Sequence, residues 1–313
     1  MISFIEILLM LAGLLLLVKS SQWFVDGAAG VAEALHIPPL ITGLTILAMG
    51  TSAPELAVSF MSVWSNNESV AVGDIVGSSI TNILLILGIC ALIGNLKVAK
   101  STVCVEIPYM LLATVLFGVM AIFGKGFTRR DGCILLLLFL VYIIYLVYRA
   151  KQDGKQMVTT TQQKKPILGQ LFLVVVGFVV VVASSEMIVE SANVLAKDMG
   201  LNDRLIGLTI VALGTSLPEL LICVTAVRRG KTEIAIGNIV GSNIFNLLFV
   251  MGIVSTVKTV TFELAFTADM LFALGAGVLL WIFVLPKKRL NQVTGSILLL
   301  GYVSYVIFRM AGQ

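Results

Sequence analysis

The sequence predicts an all-α membrane protein in which ten transmembrane helices form two inverted-topology five-helix repeats, with broken helices around a central site. Its composition and an internal duplication lead to this fold class. Of the 313 residues, 58% are hydrophobic and only 12% are charged, whereas soluble domains carry about a quarter charged residues. We therefore expect a multi-pass membrane protein without a soluble domain.

Ten apolar segments account for nearly the whole chain. Each is long enough to cross the hydrocarbon core, which takes roughly 20 residues of helix. The first segment has no basic start, so we interpret it as a retained span and not as a cleaved signal peptide. The predicted spans are 2–35, 38–64, 69–95, 103–124, 130–149, 167–197, 203–228, 232–257, 264–285 and 291–311.

The second half of the chain repeats the first at a constant offset of 164 residues. Residues 43–56 (GLTILAMGTSAPEL) are identical to residues 207–220 (GLTIVALGTSLPEL) at 11 of 14 positions. Residues 73–88 are identical to residues 237–252 at 9 of 16 positions, and the same offset pairs VKSSQWFVDGA with VASSEMIVESA. Because internal repeats determine architecture, we interpret the chain as a duplication of about five spans.

The duplication divides the chain into a first five-helix repeat (1–149), a polar linker (150–166) and a second five-helix repeat (167–313). Because five is an odd number, the second copy must enter the membrane from the opposite face. Secondary transporters with inverted repeats place their site near the midplane, where helices are broken. The first and sixth spans are long: ~34 residues of helix measure roughly 51 Å, so we expect strong tilt.

The basic residues divide unequally between the two sides of the membrane. With ten spans the loops alternate, and thirteen Lys and Arg residues fall on one side against seven on the other. The positive-inside rule makes the richer side cytoplasmic. We therefore expect a cell-membrane protein with both termini outside and the 150–166 loop in the cytoplasm.

Each repeat carries a proline and a glutamate inside an apolar span, in GTSAPE and in GTSLPE. Pro54 and Pro218 have no N–H to offer the carbonyl groups of Gly50 and Gly214. Free carbonyls at membrane depth are tolerated only where they face protein or a polar cavity. Each helix break therefore indicates a cavity.

The polar residues near the breaks supply the oxygen ligands that hard cations such as Na⁺ and Ca²⁺ prefer. An intramembrane charge costs ~2.5–3.5 kcal/mol even on the most favourable scale, so it is functional by default. A second motif in each repeat, GSSITN and GSNIFN, places a serine and an asparagine four residues apart on one helix face. The predicted oxygen set comprises Thr51, Ser52, Glu55, Ser78, Asn82, Thr215, Ser216, Glu219, Ser242 and Asn246.

Glycines just before and at the start of these motifs predict close helix packing. Gly73 and Gly77, like Gly237 and Gly241, have the small-xxx-small spacing that lets two helices approach closely. The spacing alone indicates packing and no more.

A structural role is the alternative interpretation of the two breaks. A proline kink whose glutamate caps the next half-helix needs no ligand. We favour a binding site, because the motif recurs with its serines and asparagines intact. Four further acids lie near helix ends or in the long spans, where a vestibule or interface role is as plausible as a direct one: Asp26, Asp74, Glu186 and Glu190.

Cysteine and histidine show no disulfide or metal pattern. We expect His36, the only histidine, to be a turn residue before Pro38. We expect all four cysteines to be small buried side chains: Cys90, Cys104, Cys133 and Cys223.

The paired motifs resemble the two alpha-repeats of the sodium/calcium exchanger branch of the cation/Ca²⁺ exchanger superfamily, in its prokaryotic ten-span type. The match covers GTSAPELAVS with GDIVGSSITNILLILG, and GTSLPELLICVTAVRRG with GNIVGSNIFNLLFVMG. This resemblance implies an electrogenic antiporter that uses sodium entry to expel calcium. It also implies that the two long spans slide as a gate over a rigid remainder, with Na⁺ and Ca²⁺ transported and no cofactor bound permanently.

The resemblance also implies ligand roles. The glutamates are central ligands shared by both ions, the asparagines line the middle position, and the threonines add backbone carbonyls to the calcium site. Serine hydroxyls and alanine carbonyls complete the flanking sodium sites. The implied ligands are Glu55 and Glu219 at the centre, Asn82 and Asn246 at the middle, Thr51 and Thr215 for calcium, and Ser52, Ser216, Ser78, Ser242, Ala48 and Ala212 for sodium.

One position departs from the family pattern. Many members carry an aspartate where this chain has Asn246, and here both copies have asparagine. Potassium-dependent relatives resemble the acidic pattern, so the resemblance implies a potassium-independent exchanger with two central negative charges. The hydrogen-coupled branch has an asparagine before the glutamate and does not match GTSxPE.

Three other functions compete with sodium/calcium exchange. A Ca²⁺/H⁺ or other cation/H⁺ antiporter on the same fold is the alternative, because two carboxylates can exchange protons for cations. A channel would build a glutamate ring from identical subunits, and an intramembrane enzyme would need a Ser–Lys, Ser–His, Asp–Asp or His-cluster pattern that we do not find. We expect the partners to be the two ions and the lipid bilayer, without nucleic acid or nucleotide, and the functional unit to be a monomer.

Overall fold

A computed structural model describes residues 4–66, 68–154, 166–198 and 216–311. Within these ranges the chain is almost entirely helical. Eight of the described helices are long and apolar enough to cross a membrane, and a bent helix pair forms a ninth candidate span. The predicted span 203–228 is described only from residue 216 onward.

Apart from the start of α8, whose predicted span begins outside the described residues, the described helices begin and end within a few residues of the predicted spans. In the first half they are α1 (Phe4–Ala34), α2 (Pro39–Thr51), α3 (Ala53–Trp64), α4 (Glu68–Ile93), α5 (Thr102–Phe123) and α6 (Arg129–Gly154). In the second half they are α7 (Ile167–Asp198), α8 (Leu217–Arg228), α9 (Thr232–Val257), α10 (Thr267–Val284) and α11 (Gln292–Ala311). Helix α6 continues past residue 149, where the predicted linker begins, because Ala150, Lys151 and Gln152 favour helix.

Helices α4 and α9 form the centre of the protein. In the most apolar stretch of each, 78% and 94% of the residues are buried, against 11% for α11. A helix that is apolar on all sides belongs in a protein core or in a membrane. Helices α4 and α9 are therefore surrounded by protein, whereas α11 presents most of its surface to lipid.

The two long helices α1 and α7 pack against each other in antiparallel directions. Gly13 of α1 contacts Ser184 and Ile188 of α7, whereas Gly27 contacts Gln170 and Val174. Glycine permits this close approach because it has no Cβ to separate the two backbones. The pair lies beside the helix break, since Phe24 of α1 contacts both Gly50 and Gly177.

Two short antiparallel ribbons connect the halves. Strand β1 (Leu96–Lys97) pairs with β4 (Arg289–Leu290), and strand β2 (Gly126–Phe127) pairs with β3 (Val260–Thr261). In each ribbon one strand comes from a connection of the first half and the other from a connection of the second half. The β1 and β3 strands are themselves related by the 164-residue offset.

Contacts between loops define two ends of the molecule. At the end with the β2–β3 ribbon, Lys258 forms an ion pair of 2.7 Å with Glu68 and donates a hydrogen bond to Asn66. At the end with the β1–β4 ribbon, Arg229 pairs with Asp26. This grouping of loops agrees with the alternation predicted from the spans; which end faces the cytoplasm stays a prediction.

Two expectations about single residues have different outcomes. His36 is a turn residue, as predicted, with a positive φ of 57° directly after α1. The prediction that all four cysteines are buried is wrong for Cys104 and Cys133, which are exposed; Cys90 and Cys223 are buried. The reason is that helix faces directed at lipid are as apolar as core faces, so composition alone does not separate them.

Candidate ion-binding site

The first predicted helix break is present at Ser52. Helices α2 and α3 meet there at an angle of 42°, and Ser52 leaves the helical conformation with φ −87° and ψ 10°. Pro54 lies in the first turn of α3, where its missing N–H interrupts the helical ladder. Glu55 follows in the same turn, so the bend places its carboxylate at a helix N-terminus.

Helix α8 begins in the same way in the second half. Ser216, with φ −90° and ψ 2°, precedes the helix, and Pro218 and Glu219 occupy its first turn. The predicted residues on the other side of this break, Ala212, Gly214 and Thr215, lie outside the described residues.

Helices α4 and α9 also depart from regular α-helix at the site. Each contains a π-helical turn, Thr81–Ile86 in α4 and Phe245–Val250 in α9. Asn82 lies in the π-helical turn of α4, and Asn246 lies in the π-helical turn of α9. Such turns are rare and occur frequently at functional sites; the sequence did not predict them, because no proline or glycine marks them.

Helix α9 approaches α2 closely at Gly237 and Gly241, as their spacing predicted, whereas the same expectation is not borne out at Gly77, where no described atom lies within 4 Å of an added Cβ. A Cβ atom added to Gly237 would lie 2.7 Å from the carbonyl oxygen of Leu40, and one added to Gly241 would lie 2.8 Å from that of Leu44. No side chain fits at these distances. The approach brings Ser242 of the second half against the first helix break.

The two carboxylates, one from each half, lie near each other, and neither forms an ion pair with a basic residue in the described part of the chain. Glu55 and Glu219 are both fully buried and close enough to interact electrostatically. Glu219 Oε1 accepts a hydrogen bond of 3.3 Å from Ser52 Oγ. The remaining oxygens, both of Glu55 and Oε2 of Glu219, have no hydrogen-bond partner among the described residues.

Neutral oxygens surround the carboxylates at the contact between α2 and α9. Ser242 Oγ donates to the carbonyl oxygen of Ala48 at 3.4 Å and lies 3.4 Å from Thr51 Oγ1. Ser216 Oγ is buried, with no described partner. Hydroxyl and carbonyl oxygens of the two halves therefore meet at one place.

A second contact between the halves lies at the asparagines. Asn246 Nδ2 donates to Ser78 Oγ at 3.3 Å. The carbonyl oxygens of Asn82 and Asn246 are both buried, and neither accepts a hydrogen bond from any residue that the structure describes. Each amide thus leaves its oxygen at the centre without a hydrogen-bond donor among the described residues.

Ten of the twelve predicted ligands lie within the described residues, and none of these is more than 4% exposed. Buried polar atoms are normally hydrogen-bonded, so unpartnered carboxylate and amide oxygens at one place favour a site for cations. The predicted ligands that the structure describes are Ala48, Thr51, Ser52, Glu55, Ser78, Asn82, Ser216, Glu219, Ser242 and Asn246.

Two further asparagines reach the site and were absent from the predicted ligand set. Asn238 Oδ1 lies 3.4 Å from Thr51 Oγ1, and Asn243 Oδ1 accepts a hydrogen bond of 3.0 Å from Asn82 Nδ2. Both are buried. The signal for Asn243 was its position directly after Ser242 in GSNIFN; because its repeat-related residue is Ser79, the comparison of the copies did not select it.

The other intramembrane acids lie in different places. Asp74 is half-buried and accepts a hydrogen bond of 3.4 Å from Ser59 Oγ. Asp26 pairs with Arg229 at one end of the molecule. Glu186 and Glu190 are exposed on α7. Of these four acids, Asp74 is the one that lies near both central glutamates.

Known proteins are similar to this chain in sequence and in fold. The putative antiporter CaxA of Alkalimonas amylolytica is 38% identical over 306 residues, covering 94% of this chain and 95% of the relative. The sodium/calcium exchanger MaX1 of Methanosarcina acetivorans is 29% identical over 344 residues, covering 97% and 98%.

A solved structure of the sodium-calcium exchanger NCX_Mj, soaked with Na⁺ and Ca²⁺, is similar to this chain over its whole length. The TM-score is 0.85 at 28% identity, covering 97% of this chain and 98% of the other. The family model described as sodium/calcium exchanger protein matches residues 5–148 and 169–311. The chain is therefore a multi-pass membrane protein that belongs to the sodium/calcium exchanger family.

Proposed function

We propose that the protein is a secondary active antiporter that exchanges Na⁺ for Ca²⁺ across the cell membrane. The observation that carries this proposal is the pair of fully buried glutamates, one from each half, whose oxygens lack described partners. Two such charges cannot both stay ionised in a low-dielectric interior unless cations neutralise them. One Ca²⁺ or two Na⁺ ions match the two charges, so the ions compete for one place.

The exchange we propose moves net charge. Among the described residues, two glutamates supply the negative charge at the centre, and the neutral oxygens of Ser52, Ser78 and Ser242 offer further positions for Na⁺ beside them. Exchange of more than two Na⁺ for one Ca²⁺ is therefore electrogenic. Because Asn246 is neutral, we propose that K⁺ takes no part. The relatives named above as sodium/calcium exchangers support the choice of ions.

We propose that access alternates as α1 and α7 move together over the remaining helices. Their backbones pack closely through glycines, which favours motion as one unit. The ten-span inverted architecture, with residues 1–149 and 167–313 as its repeats, is supported by the ribbons: the offset that relates the halves carries β1 onto β3. We propose the orientation given by the basic residues, with the linker in the cytoplasm and both termini outside, and a monomer as the functional unit.

The test is ion flux in reconstituted vesicles. The purified protein is placed in sodium-loaded vesicles, and ⁴⁵Ca²⁺ uptake is measured after dilution into sodium-free buffer, with parallel sets driven by a pH gradient or containing K⁺. We expect uptake that needs internal Na⁺, responds to membrane potential and is indifferent to K⁺. Uptake that follows the pH gradient alone would instead make the protein a cation/H⁺ antiporter, and absence of Ca²⁺ flux in every set would contradict both.

A further inference from the structure

We infer that Asn243 is a positioning residue for the ion site: it fixes the amide of Asn82 so that the carbonyl oxygen, and not the NH₂ group, faces the bound cation. The inference rests on the proposed function, because it takes the central site to hold a cation. Asn243 lies on α9, is 1% exposed and was absent from the predicted ligand set. Its role follows from the order in which hydrogen bonds connect Ser79, Asn243 and Asn82.

The order begins at a backbone carbonyl group. Asn243 Nδ2 lies 3.4 Å from the carbonyl oxygen of Ser79. A carbonyl oxygen only accepts hydrogen bonds, so Asn243 must turn its NH₂ group toward Ser79. Its own Oδ1 is then directed to the opposite side, where Asn82 lies.

The orientation of Asn82 follows from that of Asn243. Because Asn243 Oδ1 is an acceptor, Asn82 must present its NH₂ group, and the observed distance from Asn82 Nδ2 to Asn243 Oδ1 is 3.0 Å. Asn82 Oδ1 is consequently the atom left without a partner among the described residues. The amide could otherwise rotate by half a turn and direct two N–H donors at the cation.

A separate set of contacts orients the other asparagine by the same rule. Ser78 Oγ donates its hydrogen to the carbonyl oxygen of Ile75 at 3.2 Å. The hydroxyl oxygen then accepts from Asn246 Nδ2 at 3.3 Å, and Asn246 Oδ1 is left bare. Both sets begin at carbonyl groups of α4, one turn apart, and both end with an amide oxygen at the centre.

The experiment is a double-mutant cycle on Ca²⁺ binding. Equilibrium ⁴⁵Ca²⁺ binding is measured on the purified full-length protein, on Asn243→Leu, on Asn82→Ala and on the double variant. Loss of a group that orients a metal ligand typically costs about 10-fold or more in affinity, so we expect the dissociation constant of Asn243→Leu to rise about 10-fold. In the Asn82→Ala background the same change should add nothing, since no oriented ligand remains.

The controls separate positioning from packing. Ser255→Ala removes another buried polar group of α9, whose hydroxyl donates to carbonyl oxygens of its own helix among the described residues, and should leave Ca²⁺ binding unchanged. Thermal unfolding reports whether each variant folds, and Asn243→Ala replaces Asn243→Leu if the larger side chain prevents folding. Equal losses of affinity with and without Asn82, or no loss at all, would overturn the inference.

A further measurement separates this inference from the proposed function. Binding of ²²Na⁺ is titrated for the same four proteins. A wild-type protein that binds Na⁺ but not Ca²⁺ would contradict the proposed function, and the cycle measured with Na⁺ would then decide the role of Asn243. Non-additive losses in that cycle support the inference, whereas additive losses oppose it.

Discussion

One contact is present in both halves of the protein, but different side chains form it in each half. In the first half Ser59 Oγ donates to Asp74 at 3.4 Å; in the second, Asn238 Nδ2 donates to Cys223 Sγ at 3.4 Å. Each pair is related to the other by the 164-residue offset. Asp74 is half-buried, whereas Asn238 is fully buried. The contact itself thus belongs to the shared packing, and the carboxylate is an addition on one side only.

The long helices show a second difference between the halves. Helix α1 is tied to α8 by a hydrogen bond of 3.0 Å between Ser21 and Thr225, and beyond the end of α8 Arg229 pairs with Asp26. The residue related to Asp26 is Glu190, which is exposed on α7. The residue related to Arg229 is Ser65, which carries no charge. The repeats therefore differ in how their long helices are attached to the rest of the protein.

The largest effect is expected from the pair that does not differ between the halves. Glu55→Gln and Glu219→Gln each remove one of the two central charges, and the number of charged ligands governs cation affinity. We expect both to reduce sodium-driven ⁴⁵Ca²⁺ uptake on the order of 100-fold or more, with the protein still folded by thermal unfolding. Near wild-type flux in either folded variant would remove that glutamate from the site.

An intermediate effect is expected at the position where the charge does differ. Asp74→Asn gives the first half the residue of the second, while the hydrogen bond from Ser59 is retained. Asp74 lies near the end of α4 that begins at Glu68, and a carboxylate there raises the local concentration of cations on that side. We therefore expect the half-saturating Ca²⁺ concentration to rise roughly 10-fold from one face of the membrane only. Right-side-out and inverted vesicles measure the two faces separately.

Glu68→Gln is the matched control for that change. Glu68 lies at the start of the same helix, but its charge is already paired with Lys258. Its substitution should leave the half-saturating concentration unchanged. An equal rise from both faces in Asp74→Asn would make Asp74 a central ligand and would remove the distinction between the halves.

The smallest effect is expected from the tie between α1 and the end of α8. The side chains of Asp26 and Arg229 are each 37% exposed, and exposed ion pairs contribute about 1 kcal/mol or less. Asp26→Asn should therefore shift the ratio of half-saturating Ca²⁺ concentrations between the two faces by about 5-fold at most, because 1 kcal/mol corresponds to that factor. Glu190→Gln, the related change on α7, should leave the ratio as it is. A shift of the same size in both variants would show that the attachment is not specific to α1.

The spans could be predicted from the sequence because membrane helices depend chiefly on apolar length. That length can be counted without knowing how the helices pack. Candidate site residues could be selected because the duplication marks the same residues twice; their role as ligands stays a prediction. Asn243 was missed since its related residue is Ser79, and the π turns around Asn82 and Asn246 were missed because they leave no mark in composition. The exposed Cys104 shows the same limit: hydropathy does not distinguish a lipid-facing side chain from a core one.

The close approach of α9 to α2 fixes the spacing of these two helices at the candidate ion-binding site. With Gly241 against Leu44 and Ala48, the helix spacing is set by backbone atoms, which cannot adopt another rotamer as a side chain can. Such a fixed width does not adjust to the ion that enters. Na⁺ and Ca²⁺ have nearly equal ionic radii, so a rigid site accepts both and distinguishes them by charge. On the proposed function, this fixed spacing does not distinguish Na⁺ from Ca²⁺ by size, so the choice between these two ions depends on the charges that the two glutamates balance.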